Sequence, residues 1–323
     1  MSSTSPGTDR HHTDRATARA VLDLLLPLHR EVRSHEHRTP ECFAPQLAQI
    51  TNFVRDGAPL LLTLPSFPCK SPNPRKVLGH LPDYGELLAL RSLQRLCLDI
   101  AKVYPPGAEL MICSDGHVFA DLIRVPDQHV TEYIAALRRM IATNQLDRLG
   151  IYTLDDAYGS AAHQAARDLM STEYGQSLES LRAEVKSDDR SLALYRGITR
   201  FMVEDAMGPT FTGTKSALLR DSRQRAYGVI QRSRAWSDLI DDRIHRSVRL
   251  SIHPQACPTA KFGIRLLDIL DRWMTPWHSV AVEVGDGVVL MKRSAAEQIG
   301  RLVHVDGRPS HFVAHEPRPP LTA

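Results

Sequence analysis

Lys70, Arg75 and Lys76 fall in one short segment, FPCKSPNPRKVLG (Phe67 to Gly79), with Ser71 and the prolines Pro68, Pro72 and Pro74. Cations and a hydroxyl on a proline-stiffened loop suit an anion, phosphate or carboxylate, because little entropy is lost in ordering them. The same composition also fits a solvated surface loop. A second candidate is Asp115 in Cys113-Ser114-Asp115-Gly116. A carboxylate there can hold an ammonium group or move a proton, or it can fold back as an Asx-turn beside the glycine. In RLSIHP, Arg249, Ser251 and His253 alternate onto one face of an extended chain, and Pro254 keeps His253 extended. Lys261 follows shortly after. Trp277-His278 offers a flat wall next to a group that titrates near neutral pH.

These residues need elements to hold them. Leu60 to Leu64 reads as a buried strand entering the basic loop. Apolar positions at helical spacing mark a helix over residues 14–26, ended at Pro27, and a second with Leu47, Ile50 and Val54, stopped by Gly57. Asp83 and Glu86 have capping-box spacing ahead of a helix that buries Leu87, Leu90, Leu93, Leu96, Cys97 and Ile100. Glu109 to Cys113 reads as a strand, and Asp127 as the cap of a helix reaching about Met140. Strand and helix alternate, which argues for an α/β core with parallel pairing. The expected organisation is a disordered tail over residues 1–13 and then one unit. That unit divides into an α/β part (14–157), a helical part (158–247) and a β-rich part (248–315), with Gly285-Asp286-Gly287 as a hairpin turn.

The 323 residues carry 40 Lys and Arg against 37 Asp and Glu, so the formal charge of +3 gives no footing for nucleic acid. No hydrophobic run has the length of a membrane span, and the polar start does not read as a signal peptide. Cys42, Cys69, Cys97, Cys113 and Cys257 are dispersed and odd in number, with no CxxC pair, which reads as reduced thiols in a cytoplasmic protein. Walker, GxGxxG, GxSxG and HExxH patterns are lacking, so no nucleotide cofactor and no metal are expected.

Taken in order, FPCKSPNPRKVLG, LPDYGELLALRSL, YPPGAELMICSDGHVFADL, YRGITRFMVED, RLSIHPQ, TPWHSV, VLMKR and GRPSHF resemble the isocyanide (isonitrile) synthases of the pyoverdine/paerucumarin and dityrosine biosynthesis type. The collinear pieces span most of Phe67 to Phe312. The resemblance implies a Rossmann-like core with added elements and a reaction without cofactor. In that reaction the amine of an amino acid, tyrosine or tryptophan, condenses with the C2 ketone of ribulose 5-phosphate, and carbon–carbon cleavage leaves C2 as the isocyanide carbon. It also implies an iron-dependent oxygenase acting downstream. On this reading Lys70, Asp115, His253 and His278 are catalytic candidates, with Lys70 the first suspect for a transient imine. Ser71, Arg75, Lys76, Arg249, Lys261 and Trp277 are candidates for substrate binding. A sugar-phosphate isomerase or aldolase with a Schiff-base lysine is the competing enzyme reading, and a non-enzymatic anion-binding or scaffold protein is the third.

Overall fold

The computed structural model describes residues 6–30, 40–159, 162–267 and 274–315. The chain enters through α1 (Pro6–Leu25), a 3-10 turn at Leu26–Leu28, and α2 (Ala44–Asp56). Gly57, at φ +64°, ends α2. Then β1 (Leu60–Pro65), α3 (Tyr84–Val103), β2 (Ala108–Cys113), α4 (Gly116–Ile123), α5 (Asp127–Thr143) and β3 (Leu149–Tyr152) alternate. A helical stretch follows: α6 (Leu154–Tyr158), α7 (His163–Tyr174), α8 (Leu178–Ser187), α9 (Asp189–Ala206) and α10 (Lys215–Arg243). After it come β4 (Val248–Ser251), β5 (Phe262–Gly263), β6 (Val280–Val284), β7 (Gly287–Met291), α11 (Arg293–Ile299), β8 (Gly300–Val305) and β9 (Arg308–Ala314). α1 begins inside the stretch that the sequence assigns to a disordered tail. A helix buries Ala18, Val21, Leu22 and Leu25 further on, and adding turns to a formed helix costs far less than nucleating one.

The first sheet has strand order β3-β2-β1-β4-β5, and every pairing in it is parallel. Leu60, Leu62 and Leu64 of β1, Ala108, Leu110 and Ile112 of β2, and Val248 and Leu250 of β4 face one large core with α1, α2 and α3. On the opposite face Cys113 packs with Ala166 and Met170 of α7 and with Trp236, Leu239 and Ile240 of α10. Helices on both faces of a parallel sheet make the α/β, Rossmann-like architecture expected from the alternation. Strand order runs outward from β1 in both directions. The crevice beyond the carboxyl ends of β1 and β4 is therefore the topological switch point, where open α/β sheets bind ligands.

The sequence places β4 and β5 in a β-rich C-terminal part; in space they complete the first sheet. The apolar face of β4, Val248 and Leu250, buries itself beside β1, and chain order does not encode that pairing. Only β6 to β9 form the second sheet, in order β7-β6-β9-β8. Its core is Val280, Val282, Ala296 and Phe312. Gly285 makes the expected turn at φ +56°. Within the part expected to be β-rich, the segment after Lys261 pairs over only two residues, and His278 ends a 3-10 turn.

A disulfide joins Cys42 to Cys257, with Cα atoms 4.9 Å apart. This corrects the expectation of reduced thiols throughout. The return of the chain after β4 brings together two cysteines separated by 215 residues, which spacing alone does not reveal. Cys69, Cys97 and Cys113 are free and buried.

Candidate active site

The basic loop leaves β1 through Phe67, a residue in the left-handed region at φ +53°. Such a conformation is costly without glycine and is held only by firm surroundings. Here Phe67 is fully buried, its ring lies 5.1 Å from that of Trp277, and its carbonyl accepts from Ser114 Oγ at 2.8 Å. Gly116 lets the loop lie against the start of α4, because a Cβ there would sit 2.0 Å from the Pro68 carbonyl oxygen.

Within the loop the cations diverge. Lys70 turns into the protein, where Nζ lies 2.7 Å from both Asp83 Oδ2 and Glu86 Oε2 and donates to the Pro276 carbonyl at 3.0 Å. Asp83 and Glu86 also form the capping box of α3, and Tyr133 donates to Glu86 at 3.2 Å. Burial opposes the charge on Lys70, but the two carboxylates outweigh it and its pKa is raised. A lysine held protonated and enclosed this way is a clamp between loop, α3 and the 3-10 turn at Pro276–His278, and is poorly placed to form an imine.

Lys76 and Ser71 meet Asp205 near the end of α9. Lys76 Nζ is 2.5 Å and Ser71 Oγ 3.0 Å from Asp205 Oδ1. Glu204 lies 3.5 Å from Lys76 and also pairs with Lys292. His278 Nδ1 is 4.0 Å from Asp205 Oδ2, and its ring stands edge-on to Phe201. Burial chiefly lowers the His278 pKa to about 4, with Asp205 opposing and Lys76 adding to the fall. His278 is thus neutral near pH 7. A cavity of about 190 Å³ opens beside this group, lined by Pro72, Pro74, Phe201, Met202 and Asp205 with Arg124 and Arg225. Those two arginines share the single carboxylate of Asp221. Arg75 is exposed and stays outside the cluster, and Trp277 is buried in the main core.

Asp115 stands at the end of β2 and the start of α4. Its side chain makes no capping hydrogen bond there, and its Oδ1 is buried without a partner. Burial pushes its pKa up to about 7, against a backbone hydrogen bond that lowers it. The buried Cys69 thiol is held protonated first by burial and then by the charges of Asp115 and Asp205, so both carboxylates flank it. Cys113, pushed up to about 12 chiefly by burial, lies between the fields of Arg249 and Asp115.

Within β4, Arg249 reaches Asp241 and Ser237 of α10 but leaves its buried Nε–H without a partner. Lys261 Nζ donates to the Ser237 hydroxyl at 2.9 Å. Its pKa is lowered by burial and by Arg249. His253 is exposed, within electrostatic range of Lys261 and of Arg30. Two groups thus stand apart: carboxylates with a neutral imidazole beyond the carboxyl ends of β1 and β2, and the cations Arg249, within β4, and Lys261, just before β5. Sequence reading did not single out Asp205, Arg124 and Arg225, which line the cavity. Each sits on a helix, or just past one, with no local pattern to separate it from a surface charge.

Sequence motifs also suggested no metal. Among the described residues, however, His117, Asp155 and His163 bring one ligand atom each within 4.8 Å of one another. They come from three segments whose meeting no spacing rule predicts. No described helix is long and apolar enough to cross a membrane.

The sequence profile of the pyoverdine/dityrosine biosynthesis protein family matches residues 50–303. The chain is 44% identical over 309 residues to the L-tyrosine isonitrile synthase of Pseudomonas aeruginosa, covering 93% of this chain and 94% of that one. It is 42% identical over 272 residues to the L-tryptophan isonitrile synthase of Fischerella ambigua, covering 84% and 82%. The crystal structure of the PvcA protein from Pseudomonas aeruginosa superposes with a TM-score of 0.89 at 42% identity, over 93% of this chain and all of that one. With its fold, its profile match and its identity to these relatives agreeing, the chain belongs to the pyoverdine/dityrosine biosynthesis protein family and is similar to proteins named isonitrile synthases.

Proposed function

We propose that this protein is an isonitrile synthase that converts the amine of tyrosine or tryptophan to an isocyanide, with ribulose 5-phosphate as one-carbon donor. The observation that carries the reading is the partly buried carboxylate of Asp115 just beyond the carboxyl end of β2, whose Oδ1 has no hydrogen-bond partner. Only a neutral amine attacks a ketone, so the ammonium group must first lose a proton. A carboxylate with a pKa of about 7 is matched to that task. The amine nitrogen then bonds to C2 of the ketose with loss of water; C1 leaves as formaldehyde and C3 to C5 as a three-carbon carbonyl fragment, and expulsion of the phosphate takes up the two electrons released by breaking both carbon–carbon bonds at C2, which stays behind as R–N≡C. His278, neutral and beside Asp205, accepts and returns protons during imine formation. The Arg249 Nε–H and Lys261 grip the amino-acid carboxylate, with His253 at the rim. Lys76 and Ser71 hold Asp205 in place, and Arg124 and Arg225 face the phosphate across the cavity. The isocyanide product is a fitting substrate for an iron-dependent oxygenase.

The Schiff-base reading with Lys70 is disfavoured by its two carboxylate partners. The named relatives act on different amino acids at nearly equal identity to this chain, 44% and 42%, so identity does not choose between tyrosine and tryptophan. Purified protein supplied with ribulose 5-phosphate and an equimolar amino-acid mixture tests the proposal by mass spectrometry. One aromatic amino acid gains a carbon with loss of the amine hydrogens. A folded protein that consumes the ketose without any amino acid fits the aldolase reading instead.

A further inference from the structure

We propose that His117, Asp155 and His163 form a binding site for a divalent transition-metal ion, zinc first, on the helical face of the sheet. Three observations carry it. The ligand atoms lie within 4.8 Å of one another. His117 Nδ1 is a buried atom without a hydrogen-bond partner, and the buried His163 Nδ1 and Asp155 Oδ1 make no hydrogen bond and face only each other, a rare condition for polar groups of a folded protein. Finally, Asp155 Oδ1 stands 3.3 Å from His163 Nδ1. Ligands about 2.0–2.2 Å from a tetrahedral zinc ion are separated by about 3.4 Å, so that edge of the site already has its length.

The surroundings fit a ligand set. His117 Nε2 faces the Asp127 carbonyl at 3.3 Å and Thr131 Oγ1 at 3.1 Å. Donation to that carbonyl puts the proton on Nε2 and leaves the Nδ1 lone pair for a metal, the arrangement that orients metal-bound histidines. Arg167, one turn beyond His163 on α7, donates to the His117 carbonyl at 2.6 Å and pairs with Asp127, fixing the same frame. Burial first, and then His163, keep the His117 pKa below its ordinary value, so the ring is neutral and ready to bind. The two imidazoles lie stacked, with centroids 3.8 Å apart. Metal capture turns them toward a common point, a χ2 rotation within a broad torsional well. Two imidazoles and one carboxylate, with a fourth position open, suit zinc. The ion ties α4, α6 and α7 together two residues from Asp115. The site stands on its own geometry and does not depend on the reaction proposed above.

The test uses the full chain without a histidine tag, stripped with chelator, passed through gel filtration with zinc and measured by mass spectrometry of the metal. We expect about one zinc per chain. His163→Ala and Asp155→Ala are both at partly exposed positions, and circular dichroism verifies their fold. Each should weaken zinc binding by more than the roughly 10–100-fold that loss of a supporting hydrogen bond costs. Cobalt in place of zinc should give tetrahedral d–d absorption that both variants lose. Zinc content at background in the wild-type chain overturns the proposal, and so does full binding in either variant.

Discussion

Asp115→Asn isolates the group on which the proposed chemistry turns. The substitution keeps shape and volume and removes only the titration. Burial raises the Asp115 carboxyl from 3.8 to about 7. That is about 3 pH units, and at about 1.36 kcal/mol per unit it amounts to at most about 4 kcal/mol. Water reaching the partly exposed side chain brings this to roughly 2–4 kcal/mol. The folded state binds the proton more tightly than the unfolded chain does. The stability contribution is therefore fully present below about pH 4, falls as pH rises, and is lost above about pH 7. Urea unfolding of both proteins at intervals from pH 4.5 to 8 measures it. The wild type should lose stability relative to Asp115→Asn across that window by the amount above. The wild-type rate should climb to a plateau above about pH 7 as the carboxylate forms, and the variant should lose at least about 100-fold in kcat, the usual weight of a general base. Parallel stability curves for the two proteins, or a variant with wild-type kcat, would refute the reasoning.

Three further outcomes follow from the packing. Lys70→Ala strands Asp83 and Glu86 as buried charges, and breaking such a pair costs about 3–5 kcal/mol; a urea midpoint close to wild type would show the lysine is not a clamp. Gly116→Ala drives a Cβ into the Pro68 carbonyl and into Val130 Cγ1 at 2.6 Å, so the basic loop must move; we expect a loss of more than about 3 kcal/mol together with activity, read by thermal unfolding and by turnover. Reduction of Cys42–Cys257 reopens a loop of 215 residues and should lower stability by about 2–4 kcal/mol, measured by unfolding with and without reductant and absent in the Cys42→Ser, Cys257→Ser double variant.

Local signals were legible wherever one segment contained the whole pattern. The capping box at Asp83 and Glu86, the left-handed stop at Gly57 and the Gly285 turn each form as their spacing implies. The apolar run Leu60 to Leu64 announced a buried strand, and Leu60, Leu62 and Leu64 are buried in the main core. Properties that depend on chain return were not legible. Lys70 reads as an available cation because its partners lie 13 and 16 residues away and are already accounted for as a helix cap. Trp277 reads as a pocket wall, yet the packing of Phe67 against it puts it in the core. Asp205 carries no local mark, and it becomes a site residue only when α9 folds back onto the basic loop. The disulfide and the His117, Asp155, His163 group are of the same kind, assembled by topology from distant segments.

The most direct test of the central claim follows one carbon. Ribulose 5-phosphate labelled with ¹³C at C2 is offered with tyrosine and, separately, with tryptophan, and the product is read by ¹³C NMR and mass spectrometry. The account predicts that the label appears as the isocyanide carbon of one of these products, with full enrichment, and that Asp115→Asn yields none. Unlabelled isocyanide, or labelled sugar fragments with no label on either amino acid, would contradict it.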